Sequence, residues 1–255
     1  MDIKLERGIM WNVARSFYIS LFVVFVLSIS AFENDSKAGI LPYPDAVRSF
    51  SWTDIPLNSY LSAQGQSYRI FRKGEEIGTY KVALNTTLEK TDIRAEVSVH
   101  LPVAFFPDIR FRMTVQSTLR NKYLERMTIH VDDNGDTHHI LVRNGPKGVT
   151  VDGPDGTYHL KGTARITRHW LSAILDDGQF LDFMTGQFGK AQFKDLGRKK
   201  ISAGGKLIEA HQLVISGVFD HETWLDDKGN FSGLRFEAPD GSIVDFIRVD
   251  QIASR

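Results

Sequence analysis

The chain has 255 residues, 42% of them apolar, with 31 Lys and Arg set against 31 Asp and Glu and no cysteine. That balance excludes a disordered polyelectrolyte and removes the basic surface on which nucleic-acid binding draws, so no nucleic-acid partner is expected. Without cysteine there are no disulfides, thiolate metal sites, thiol catalysis or lipid-modified N-terminal Cys, and stability must come from burial and hydrogen bonding.

The first element is an apolar run, Phe17 to Phe32, which carries no charge and follows Lys4, Arg7 and Arg15. A basic flank, an apolar core and small residues at its end make an export signal. Sixteen residues of helix reach about 24 Å, short of a hydrocarbon core of about 30 Å. Cleavage fits after Ser30 or after Ala38, and Met10 is an alternative start that leaves a compact basic lead. Left uncut, residues 17–32 would anchor the chain in the inner membrane. In both cases the positive-inside rule keeps Lys4, Arg7 and Arg15 in the cytoplasm and sends the rest outward, to the periplasm or beyond. Residues 1–32 are therefore read as signal peptide or signal anchor. Residues 33–65, with Pro42, Pro44 and Pro56, are read as a linker with one short helix near Asp45 to Trp52. Its aromatics Phe50, Trp52 and Tyr60 dock the second half on the domain that follows.

Residues 66–252 form the domain proper. Ile93, Ala95, Val97, Val99 and Leu101 alternate with polar residues, as do Ile109, Phe111, Met113 and Val115, and then Tyr123, Glu125, Met127, Ile129 and Val131 alternate with Leu124, Arg126, Thr128 and His130. Alternate side chains of a strand point to opposite faces, so each run has one apolar and one wet face. Turn pairs punctuate the rest: Lys73-Gly74, Asn134-Gly135, Asp155-Gly156, Gly204-Gly205, Lys228-Gly229 and Asp240-Gly241. Such pairs supply the positive φ that tight hairpins need. The spacing predicts a mainly β fold: a single curved antiparallel sheet, half-barrel or open barrel, of about ten strands. The apolar concave side needs a filling, and the one helical candidate in the domain, Arg168 to Leu175, is the expected plug, with the docked linker.

Four segments carry a resemblance: residues 68–84, 131–142, 169–187 and 221–241. In order they present a Gly-turn hairpin followed by Ile-Gly, an Asp-Asn-Gly turn, a His-Trp with a later Thr-Gly, and a closing Trp-Leu-Asp-x-x-Gly hairpin. Together they resemble an uncharacterised bacterial family of exported β-rich proteins known as a domain of unknown function. More distantly the layout resembles the half-barrels of periplasmic lipoprotein carriers, which wrap a hydrophobic cavity. Neither resemblance implies a catalytic residue.

The eight histidines hold no helical H-x-x-x-H pair, and His138-His139, adjacent in a strand, face apart. His100 and His130 read as solvated polar-face residues. His169, beside Trp170, reads either as a group at a pocket mouth or as a loop-bonding residue next to a core anchor. Asp220, His221 and Glu222 look like part of a triad, but neighbours in a strand diverge and no G-x-S-x-G elbow supplies a serine. Asp132-Asp133 and Asp176-Asp177 lack the ligand spacing of a calcium loop. Arg94, Arg110, Arg112, Arg120 and Arg126 form either a basic stripe for anionic headgroups or glycans, or a solvated face neutralised by acids such as Glu96.

The function expected is a non-enzymatic envelope protein that binds an apolar or amphipathic ligand such as a lipid, with no cofactor and no metal. Phe111, Met113, Val115, Met127, Trp170, Trp224 and Phe236 are the expected lining of the concave face. Two alternatives stand beside it. One is an envelope hydrolase of glycan or lipid using His169 or His221 with a carboxylate. The other is a scaffold that engages a second envelope protein through a sheet edge.

Overall fold

A computed structural model describes residues 65–102, 107–121, 123–167, 169–238 and 240–249. The apolar leader, its cleavage site and the linker helix expected from the sequence lie outside those residues. The described chain begins as a meander of long strands: β1 (Gln66–Arg72), β2 (Glu75–Thr86), β3 (Lys90–Leu101), β4 (Ile109–Arg120), β5 (Tyr123–Asp133), β6 (Asp136–Gly145), β7 (Gly148–Gly153) and β8 (Gly156–Leu160). Four short strands follow, β9 (Ala164–Ile166), β10 (Ala173–Leu175), β11 (Gln179–Leu181) and β12 (Phe188–Lys190). Five more complete the chain: β13 (Gln192–Ala203), β14 (Lys206–Ser216), β15 (His221–Asp226), β16 (Phe231–Glu237) and β17 (Ile243–Val249).

The long strands make one thirteen-stranded antiparallel sheet in the order β13-β14-β15-β16-β17-β1-β2-β3-β4-β5-β6-β7-β8, and the short ones a four-stranded sheet, β12-β11-β10-β9. The first strand pairs with the last, from Ser67 opposite Val249 to Arg72 opposite Val244. The large sheet does not close, because β8 and β13 lie at its two ends.

All six turn pairs read from the sequence fall in or beside the connections between strands. Lys73-Gly74 and Asn134-Gly135 show why those residues are there: both members of each pair have positive φ, 52° and 82° in the first, 53° and 93° in the second. Two such residues make the tight turn whose twist matches that of the strands.

The alternating runs bury one face as expected. Ile93, Ala95 and Val97 on β3, Phe111, Met113 and Val115 on β4, and Met127, Ile129 and Val131 on β5 all belong to the main core. One phase is different. The ladder shifts register between Thr118 and Leu119, so Leu119 faces Leu124 and both are buried, while Tyr123 turns outward and is 54% exposed. A bulge inserts one residue and so reverses the faces beyond it.

The helix expected from Arg168 to Leu175 does not form over its described residues, 169–175. Residues 169–172 form a turn and Ala173–Leu175 are β10, one strand of the small sheet. The filling of the curved sheet is thus itself a sheet. Ala173, Leu175 and Leu181 join the main core, while Ile174 and Phe180 pack with Ile215 of β14 in a second cluster that includes Phe193 of β13 and Val218. Covered on both faces, the segment needs apolar residues at successive positions, a pattern that mimics two turns of helix when read as sequence.

Candidate functional site

Phe111, Met113, Val115, Met127, Trp170 and Phe236 are all buried in the main core, where the small sheet covers the concave face. They meet protein atoms there. Trp224 is elsewhere. On β15, His221, Thr223 and Leu225 face inward and Trp224 faces out. Opposite it stands Gly233, which has no side chain, and the indole lies against that gap with the Arg235 guanidinium 5.8 Å from its ring. The missing side chain on the neighbouring strand favours a large aromatic on the outer face.

A buried polar cluster, with Thr167, His169, Ser172 and His221, centres on the turn between β9 and β10. Trp170 adopts φ 61°, a left-handed conformation costly for a bulky residue. Its surroundings hold it there. Thr167 N donates to Ser172 O at 2.9 Å and Trp170 N to Thr167 O at 3.1 Å. The Ser172 hydroxyl donates to Leu181 O at 2.6 Å, and the buried Tyr80 hydroxyl to His169 O. Tyr80 stacks on Tyr68, which itself donates to Phe231 O at 2.9 Å.

Inside this cluster His169 and His221 stand edge to face, ring centroids 5.7 Å apart. His221 Nδ1 donates to Phe219 O at 2.8 Å, so its proton is on Nδ1. The Thr167 hydroxyl gives its proton to Ser172 O at 3.0 Å, so the 3.3 Å contact between Thr167 and His169 takes its proton from His169 Nδ1. Each ring therefore keeps a lone pair on Nε2, and both Nε2 atoms are buried with no partner among the described residues. Burial pushes the His169 ring down to about 3, with the His221 ring adding to the shift, and the His221 ring down to about 4.

These rings do not sit at a pocket mouth. A general base must reach its substrate, and both imidazoles are sealed behind aromatic rings, Phe219 stacked on His221 at 4.8 Å and Phe231 beside His169. The neighbouring Asp220 carboxylate accepts from Gly217 N at 2.7 Å, and Glu222 accepts from Gln212 at 2.8 Å on the outer face. No triad forms among the described residues.

The open site is on the other side of the sheet. A groove of about 530 Å³ crosses the outer face of β2 to β5, within the usual range for small-ligand sites of about 300–1,000 Å³. Arg94, Gln116 and Thr128 line it in one cross-strand row, and Asp92, Thr118 and Arg126 in the next. The arginine stripe is real but mostly neutralised: Arg94 pairs with Glu96, Arg110 with Asp108 and Arg120 with Glu125. Arg126 has no ion pair among the described residues and faces Arg143 across the ladder.

This groove is not legible in the sequence because it is built from cross-strand neighbours on four strands, while each strand alone reads as a solvated face. The remaining histidines scatter. His100 contacts Asp108 at 2.9 Å, whereas His130 lies against His139. Among the described residues no group of three metal-ligating side chains converges.

The family described as a domain of unknown function (DUF6134) matches residues 68–249, nearly the whole of the described sheet. No curated protein matches. A β-barrel-like protein of the domain of unknown function DUF1849 from Brucella abortus has a similar fold, with a TM-score of 0.52 at 8% identity. The match covers 73% of this chain and 95% of that one. The resemblance read from the sequence, to an uncharacterised β-rich family, is borne out.

Proposed function

Since the chain belongs to the DUF6134 family, whose function is unknown, we propose from its own geometry that it is an exported, non-enzymatic envelope protein that works at a membrane surface and binds an amphipathic ligand such as a lipid. The ligand does not fill the curved sheet, which the small sheet occupies. It sits at one rim, with its polar head in the outer groove.

The observation that carries this reading is that the three most exposed large apolar side chains among the described residues stand at a single rim. Leu88 lies in the β2–β3 turn, Tyr123 at the start of β5 and Leu207 at the start of β14, and they are 107%, 54% and 76% exposed. In an antiparallel meander all three positions fall at the same end of the sheet. So does the start of β1, where residues 1–64 join the domain. Lys147, Lys161, Lys206 and Lys228 lie in turns or at strand ends on that rim, against the acids Glu89 and Asp227. Apolar side chains among lysines suit an anionic bilayer surface. The groove, with Arg126 and Asp92 near the same ends of β5 and β3, offers a polar site for a headgroup.

Co-sedimentation with vesicles tests the reading. The protein is expected to pellet with phosphatidylglycerol vesicles and much less with phosphatidylcholine ones. The Leu88→Ser, Leu207→Ser double variant is expected to lose the difference. Equal behaviour of wild type and double variant on both vesicles overturns it.

A further inference from the structure

His130 on β5 and His139 on β6 are directly opposite one another in the ladder, on the solvent face. Their Nδ1 atoms are 3.2 Å apart, with ring centroids 5.4 Å apart and planes 19° from parallel. The centroid separation exceeds the nitrogen separation by about two ring radii, so the two nitrogens face each other across the gap. As neutral rings they share one proton, Nδ1–H to Nδ1, over a contact longer than the usual ~2.9–3.0 Å.

That spacing has a second chemistry. A tetrahedral ion holding two imidazoles at about 2.0–2.1 Å separates their nitrogens by about 3.3–3.4 Å. The pair is already within a few tenths of an ångström of that bite, and turning each of the two exposed rings by roughly 35° brings both lone pairs onto one point of a tetrahedral ion. We propose that His130 and His139 form a two-imidazole site for a borderline divalent transition metal, Zn²⁺, Ni²⁺ or Cu²⁺, with water completing the coordination. Imidazole nitrogen is the ligand these ions favour.

The backbone beneath the pair is fixed. The residues on either side, Ile129 and Val131 on β5 and Ile140 on β6, point inward and are fully buried. The ladder runs unbroken from Arg126 opposite Arg143 to Asp133 opposite Asp136. Once one ring binds, the second is therefore presented at high effective concentration. The adjacent His138 points to the inner face and takes no part. The site is independent of the lipid reading, since neither histidine lines the groove and both lie toward the end of the sheet opposite the rim residues.

Calorimetric titration of the full chain with Ni²⁺, and separately with Zn²⁺, is expected to show saturable binding at one ion per chain, reversed by a chelator. His130→Ala and His139→Ala should each weaken it about tenfold or more, whereas His159→Ala, on β8 beyond β7, should leave it unchanged. In nitrogen-detected NMR, Zn²⁺ should shift the imidazole signals of His130 and His139 together. Absence of saturable binding, or binding that persists in both alanine variants, overturns the proposal.

Discussion

The His169 and His221 rings meet edge to face at 5.7 Å, each donating through Nδ1 and each leaving Nε2 buried without a partner. The pair joins the turn before β10 to strand β15 and so links the small sheet to the large one. Both rings are held neutral, at about 3 and about 4 against an ordinary 6.5. Above pH 6.5 neither folded nor unfolded chain protonates them. As pH falls below that, only the unfolded chain takes up the protons, so stability is lost progressively until pH approaches 4. Each ring contributes a slope of about 1.4 kcal/mol per pH unit. The urea midpoint is expected to be clearly lower at pH 5 than at pH 7, and His221→Phe should remove about half of the pair's share. A midpoint independent of pH over that range would exclude the neutral buried pair.

Trp170 sets packing against backbone strain. Removing its side chain by Trp170→Ala should cost about 3–5 kcal/mol. Glycine is smaller still and ordinarily worse, yet at φ 61° it escapes the left-handed penalty of about 1–2 kcal/mol. Trp170→Gly should therefore be more stable than Trp170→Ala by about 1 kcal/mol. Equilibrium unfolding in urea ranks the two, and the reverse order would show that the turn is unstrained.

Gly78 lies in β2 opposite Val99, and a methyl group there would come within 2.2 Å of Ser98 O and 3.0 Å of Val99 Cα. Backbone cannot swing aside as a flexible side chain can, so Gly78→Ala should destabilise by about 1–3 kcal/mol through overpacking. Gly135→Ala meets nothing within 4 Å and is limited to its φ penalty of about 1 kcal/mol. The two urea midpoints should fall in that order.

Leu88 and Arg126 are expected to be dispensable for folding. Leu88 is fully exposed, and Arg126 faces Arg143 with no ion pair among the described residues. Leu88→Ser and Arg126→Gln should each change stability by no more than about 0.5 kcal/mol. Under the proposed function both should reduce binding to anionic vesicles. A change in binding accompanied by a large loss of stability would point to unfolding as the cause.

The sheet was legible where one face is wet. The runs on β3, β4 and β5 alternate because solvent meets one side, and the turn pairs announce their φ by residue type. The small sheet was not legible, because Ala173, Ile174 and Leu175 are buried on both sides and alternation vanishes there. Tyr123 was placed on the wrong face because the shift at Thr118 leaves no mark in residue type. Trp224 was assigned inward because its outward place depends on Gly233, nine residues away in sequence and opposite only after folding. His130 with His139, and the groove, likewise exist only through cross-strand register.

The thirteen strands stop at β8 and β13 without joining. In a sealed barrel, strand number and stagger dictate the girth. Here no seam fixes the circumference, and β9 to β12 act as the mandrel around which the sheet is wound. The girth of the roll therefore answers to the side chains on that mandrel, and the gauge of this protein is set from within.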